Sequence, residues 1–154
     1  MATWLRKLTG SRRKNTADIS RATTLGDHTA TLTDADLRRT FDTALRDKDT
    51  ATMFATLREA STRTIGLTPF DCQLRGAQEL LKGNVIQMAT GEGKTLVGAL
   101  AAIIYAHQGR KIHCITVNSY LAGRDADWMG PLFNFFDVTV GAIQEHMTAD
   151  QRRA

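Results

Sequence analysis

The residues best suited to chemistry form one short run, Met88-Ala-Thr-Gly-Glu-Gly-Lys-Thr95. Gly91 and Gly93 allow the backbone to turn so that successive amides converge on one point, which makes a site for an anion. Lys94 can reach the β- and γ-phosphates of a nucleotide, and the Thr95 hydroxyl can bind Mg²⁺. The run therefore predicts a phosphate-binding loop with Thr95 as the magnesium ligand.

The position of this run in the chain strengthens that interpretation. A predicted strand, residues 84–88, comes before it, and a predicted helix from Lys94 to about His107 follows it, which is the context that a phosphate loop requires. Met88 stands where the general pattern has Gly. The alternative is a Gly-Lys-Thr triplet in an ordinary loop, but the order of strand, loop and helix favours a nucleotide site.

A second candidate, Gln73, lies about twenty residues before Lys94 in the segment Phe70-Asp-Cys-Gln73. A Gln amide offers a donor and an acceptor side by side, which matches the N7 and 6-amino edge of adenine. An isolated exposed Gln on a helix would need no such role. Its spacing to the loop predicts adenine recognition, and hence ATP in preference to GTP.

Hydrophobic periodicity supplies the elements that must position these residues. Helices are predicted from Thr33, over residues 50–65 with Gly66 as a stop, and from Pro69 to Gly83. Strands are predicted at 84–88, 112–117 and 138–143, and a helix from Ser119 to about Phe136 is expected to be interrupted at Gly130-Pro131. Strands that alternate with helices predict an α/β fold with a parallel sheet, preceded by N-terminal helices.

Composition and charge narrow the class of protein. The 154 residues carry a net charge of +4, and all of it falls in residues 1–30, where six Lys and Arg face two Asp. The rest of the chain is neutral, so we expect no nucleic-acid-binding face on it.

Trp4, Leu5 and Leu8 beside basic residues suggest either a solvated tail or contact with anionic lipid. No apolar run is long enough for a membrane span or signal peptide, which predicts a cytosolic protein. The two cysteines are expected to be buried.

Together these motifs resemble the SecA family of preprotein-translocating ATPases. The segments Phe70–Gln73 and Met88–Thr95 are similar to its adenine-reading motif and phosphate loop, and Thr116–Pro131 resembles a long SecA signature, with Ser119 where Asp is usual and Gly123 where Arg is common. The short Asp47-Lys-Asp-Thr50 connection, together with Ala89 and the residues 80–86, looks more like the accessory, second SecA of actinobacteria than the housekeeping one.

The resemblance implies a set of roles and partners. It makes Gln73 the adenine contact, and Gly91, Glu92, Gly93, Lys94 and Thr95 the contacts to the phosphates and Mg²⁺ of ATP. It implies a partial RecA-like P-loop domain, with residues 67–154 as an incomplete helicase-like ATP-binding domain. Composition predicts a basic flexible tail over residues 1–30, and periodicity predicts a helical segment over residues 31–66. The implied partners are preproteins and the SecYEG channel, at the cytoplasmic side of the plasma membrane.

Hydrolysis needs more than this set of residues. No Asp-Glu pair follows residue 95, and Asp125, Asp127, Asp137 and Glu145 do not stand where a magnesium-binding carboxylate is expected. Beyond Lys94 we therefore predict no catalytic residue, and we expect a fragment without turnover of its own. The alternatives are a superfamily-two RNA or DNA helicase and a non-catalytic nucleotide-binding fragment.

Overall fold

The computed structural model describes residues 16–152, and within that range every regular element is a helix. α1 covers residues 16–24 and is helical from the first described residue. The six that follow are α2 (Gly26–Thr31), α3 (Asp34–Asp47), α4 (Thr50–Ile65), α5 (Asp71–Leu81), α6 (Lys94–His107) and α7 (Ser119–Phe135).

The first long helices begin and end at local signals in the sequence. The Thr33 hydroxyl accepts a hydrogen bond from the Asp36 amide at 3.2 Å and so caps α3. The Asp49 carboxylate does the same for α4 through the Thr52 amide at 3.3 Å. Gly66, with φ of 69°, ends α4 in the left-handed conformation that glycine adopts without strain. The predicted bounds of α4 and its glycine stop are confirmed.

The helices surround one apolar core, to which α6 contributes more buried apolar residues than any other described helix. α3 packs on α4, α4 also contacts α2 and α7, and α6 contacts both α5 and α7. Leu100, Ile103 and Leu132 are fully buried where α6 and α7 contribute to the core. α6 is apolar on nearly all sides, so it needs neighbours around most of its circumference. This packing fixes the start of α6, where the phosphate loop joins it.

Two helices differ from their predicted shape. α5 begins at Asp71 and not at Pro69, which lies two residues before it. α7 continues through Pro131 without the predicted interruption. A proline removes one hydrogen bond from a helix, and here Met129, Leu132 and Phe133 are buried on either side of it. We attribute the continuity of α7 to that packing.

The prediction of an α/β fold with a parallel sheet is wrong for the described residues, because none of the segments 84–88, 112–117 and 138–143 forms a strand. A strand obtains its backbone hydrogen bonds from a neighbour, and these three do not pair with one another. Val85 is 98% exposed and Ile115 is 94% exposed. The apolar pattern of these segments does not show which neighbour each would need in order to pair as a strand.

The prediction of a flexible tail over residues 1–30 is also wrong for residues 16–30, which the structure describes. Residues 16–30 are almost entirely helical, and Ile19 and Ala22 are fully buried. The Thr23 hydroxyl donates to Asp71 at 2.8 Å, which ties α1 to the start of α5. Ile19 and Ala22 alone give too weak a hydrophobic periodicity to predict this helix. The basic segment around Trp4 lies outside the described residues.

The two cysteines are exposed, contrary to the prediction. Cys72 lies on the outer side of α5, and Cys114 lies in the segment 112–117, which has no neighbouring strand. In the part of the chain that the structure covers, we find no helix with the length and apolar character needed to cross a bilayer.

Candidate functional site

The predicted phosphate loop is a turn that leads directly into α6. Gly91 and Gly93 have φ of 86° and 81°, a region that only glycine enters freely. Gly93 is the residue that caps α6, and it offers no side-chain acceptor. The first amides of α6 therefore have no side-chain cap, and together with the helix dipole they favour an anion at this point.

Gln73 lies against this loop. Its Nε2 donates to the Glu92 carbonyl at 2.9 Å, and its Oε1 accepts from the Phe70 amide at 2.9 Å. A Cβ at Gly93 would collide with the same Nε2, because Cβ atoms do not approach other atoms so closely. The absence of a side chain at Gly93 is thus what allows the Gln73 amide to reach the loop backbone.

The loop is closed by its own charged side chains. The Lys94 ammonium donates to the carbonyl of Ala89 at 2.7 Å and to that of Met88 at 3.2 Å. The Glu92 carboxylate accepts from the Ala89 amide at 2.7 Å. Lys94 and Glu92 are both exposed, so solvent and solutes can reach them. The ammonium is therefore held at the loop by carbonyl oxygens, which a phosphate oxygen can replace.

The structure brings the carboxylate of Asp125, which does not stand at an expected magnesium-binding position in the sequence, next to Thr95. The Thr95 hydroxyl donates to Asp125 Oδ2 at 3.5 Å, at the long end of the hydrogen-bond range. The other oxygen of Asp125 accepts two bonds from the Arg124 guanidinium, at 2.6 and 3.0 Å. Asp125 lies in α7, thirty residues from Thr95, and no local signal in the sequence predicts how α7 packs on α6. This neighbour could only be found from the tertiary structure.

These residues fit a nucleotide phosphate with its magnesium ion. Glycine turns, uncapped helix amides and a lysine form the set of donors that a polyphosphate requires. No cluster of three or more metal-ligating side chains occurs within residues 16–152. Mg²⁺ in nucleotide sites is held by one or two protein oxygens together with phosphates and water, so Thr95 suits it without such a cluster.

The structure thus brings together Gln73 and the run from Gly91 to Thr95, which the sequence analysis had placed in one site. It does not place a predicted strand before the loop, because residues 84–88 form no regular secondary structure. The adenine, phosphate and magnesium roles of the individual side chains remain predictions.

Comparison with known proteins gives the family. Residues 3–154 match the sequence family described as the SecA DEAD-like domain. The Protein translocase subunit SecA 2 of Corynebacterium jeikeium is 61% identical over 105 residues, which is 68% of this chain and 14% of that protein. SecA 3 of Mycolicibacterium vanbaalenii is 47% identical over 146 residues, 92% of this chain and 19% of that protein.

A third relative extends the same result. The Protein translocase subunit SecA 2 of Mycobacterium tuberculosis is 45% identical over 148 residues, 93% of this chain and 18% of that protein. The chain therefore spans less than a fifth of the length of these relatives, while the match covers most of the chain itself. The resemblance inferred from the motifs is confirmed: this chain belongs to the SecA family, and it is of the accessory type.

Proposed function

We propose that this chain binds Mg²⁺–ATP and forms the nucleotide-binding part of a SecA motor. The observation that carries the proposal is the contact of Gln73 with the Glu92 carbonyl, at 2.9 Å, beside the uncapped start of α6. This contact joins the side chain suited to a purine with the loop suited to a polyphosphate. Family membership supports the same proposal.

Each side chain then has a defined task. We assign the second N–H and the second lone pair of the Gln73 amide, which is only 9% exposed, to the adenine edge. The amides after Gly91 and Gly93 receive phosphate oxygens, while the Lys94 ammonium leaves its two carbonyls and neutralises phosphate charge. The Thr95 hydroxyl provides one oxygen to Mg²⁺, which, when bound, offsets the charge of the β- and γ-phosphates.

The wider function proposed is the coupling of ATP hydrolysis to the movement of preproteins across the bacterial plasma membrane. The relatives are named protein translocase subunits, which supports this role. We propose the SecYEG channel and preproteins as partners, and the cytoplasmic side of the plasma membrane as the location. The positive charge of residues 1–30 would add attraction to anionic lipid. No nucleic acid is proposed as a partner.

We also propose that the 154-residue chain has no turnover of its own. Water must be oriented and Mg²⁺ held by carboxylates for hydrolysis to proceed, and no Asp-Glu pair follows residue 95. A steady-state phosphate-release assay on the purified chain should give the same rate as its Lys94→Ala variant. A rate well above that variant would contradict the proposal of inactivity.

Nucleotide binding is tested by titrating the chain with a fluorescent ATP analogue. We expect Lys94→Ala to weaken binding at least about tenfold, since the ammonium is a direct phosphate partner. Lys111→Ala is the matched control, because Lys111 is also exposed and lies outside the loop. Gln73→Ala should reduce the preference for ATP over GTP in competition. Equal binding by the Lys94 and Lys111 variants would contradict the proposed site.

A further inference from the structure

The Thr95 hydroxyl has an acceptor on another helix. Helical threonines usually donate to the carbonyl four residues earlier, as Thr64 does to Ala60 at 2.7 Å. Thr95 is the second residue of α6, so the residue four positions back, Gly91, lies in the loop and not in the helix. Its hydroxyl is directed to Asp125 Oδ2 in α7 instead.

Asp125 is itself held in place. The Arg124 guanidinium binds Oδ1 through two nitrogens, which leaves Oδ2 to face Thr95. The Asp125 side chain is 26% exposed, so it lies at the edge of the contact between α6 and α7 and not in open solvent. A carboxylate fixed in this way accepts a hydroxyl proton in one orientation.

We propose that Asp125 is a positioning residue for the magnesium ion at the phosphate loop. By accepting the hydrogen bond of the Thr95 hydroxyl, the carboxylate would keep the lone pairs of the hydroxyl oxygen available to the metal and would make that oxygen a better ligand. Arg124 in turn fixes the carboxylate. This inference rests on the proposed function, because it assigns a role within the same site.

The negative charge of Asp125 determines how nucleotide binding should change with and without Mg²⁺. Without metal, a carboxylate near the loop repels the phosphates, whereas with Mg²⁺ it favours the ion that binds them. Loss of the charge should therefore weaken metal-dependent binding without weakening metal-free binding. A residue that only held α7 against α6 would weaken both.

The test measures binding of a fluorescent ADP analogue to the 154-residue chain across a Mg²⁺ titration and in EDTA. For Asp125→Asn we expect the Mg²⁺ concentration for half-maximal binding to rise about tenfold, the lower end of the effect of losing such an outer partner. Binding in EDTA should be unchanged or tighter. Asp125→Glu should restore part of the magnesium dependence.

Asp127→Asn is the matched control, because Asp127 is an exposed carboxylate in the same helix. It should behave as the wild type in both conditions. The proposal for Asp125 is overturned if Asp125→Asn keeps the wild-type magnesium dependence, or if it weakens binding in EDTA as much as in Mg²⁺. Failure of the wild type to bind nucleotide in either condition would instead contradict the proposed function, and the Asp125 role with it.

Discussion

α6 and the segment 112–117 are both apolar, yet they have opposite surroundings. Leu100 and Ile103 of α6 are fully buried, whereas Ile115 and Val117 are 94% and 87% exposed. A helix satisfies its backbone within itself, so it can be buried wherever apolar side chains meet it. An extended segment depends on a neighbour for its hydrogen bonds as well as for cover. Apolar character alone therefore does not decide which segment joins the core.

The two sides of the phosphate loop also differ in secondary structure. The loop from Gly91 to Gly93 is joined to α6, which is fixed by α5 and α7. The residues before it, 84–88, have no strand beside them in the described structure. Stability measurements can compare the buried helix α6 with the exposed segment 112–117 directly.

The largest effect is expected for a cavity in α6. Leu100→Ala should lower the free energy of unfolding by about 2–5 kcal/mol, because the side chain is fully buried. Ile115→Ala is its counterpart in the extended segment and should change it by no more than about 0.5 kcal/mol. Urea denaturation followed by circular dichroism measures both. Similar losses for the two variants would mean that segment 112–117 contributes to the core as α6 does.

A smaller effect is expected where the loop joins α6. Gly93→Ala should cost about 1–3 kcal/mol, because φ is 81° and the new Cβ would meet the Gln73 amide. It should also weaken nucleotide binding. Gly98, in the body of the same helix, has no atom within 4 Å of a Cβ position, so Gly98→Ala should be stabilising by about 0.5–1 kcal/mol. Equal effects at the two glycines, measured by thermal unfolding, would show that the Gln73 contact does not constrain the loop.

The smallest of the three effects concerns the start of α4. Burial alone would raise the pKa of Asp49, but hydrogen bonds from Thr52 and the nearby Arg21 guanidinium outweigh it and hold the pKa below its ordinary value of 3.8. Asp49→Ala should cost about 1 kcal/mol at neutral pH through loss of the cap. Asp49→Ser keeps a neutral acceptor and should cost less.

The contribution of the Asp49 cap to stability should depend on pH in one direction. Because the pKa of Asp49 is lower in the folded state, its contribution is present above pH 3.8 and is lost as the pH falls through the folded value. The stability difference between the wild type and Asp49→Ala should therefore shrink in acid, while that between Asp49→Ser and Asp49→Ala should stay constant. A difference between wild type and Asp49→Ala that does not depend on pH would exclude the ionised carboxylate as the stabilising group.

Local signals in the sequence were sufficient to predict several features of the structure. The hydroxyl of Thr33, the glycine stop at Gly66 and the glycines around Glu92 act within a few residues, so their roles in the backbone could be read from the chain. The proximity of Gln73 to the loop was also anticipated, because the motif spacing reflects a fixed geometry.

Features that depend on distant residues could not be read in this way. The absence of strand pairing, the helix around Ile19 and the contact of Asp125 with Thr95 each depend on which element meets which in three dimensions. Pro131 belongs to the same group, since the buried residues beside it override its local tendency to break a helix. Helix and strand propensity and hydrophobic periodicity do not show which distant residues will pack together.

The contacts of Lys94 with the carbonyls of Met88 and Ala89 have a consequence for energetics. The loop is preorganised by its own ammonium, so an incoming polyphosphate does not have to order the backbone, but it must displace two oxygens that already solvate the cation. The affinity for a polyphosphate is therefore expected to reflect the difference between two sets of contacts to the Lys94 ammonium. An arginine at this position, with its planar fork, would change both sets at once.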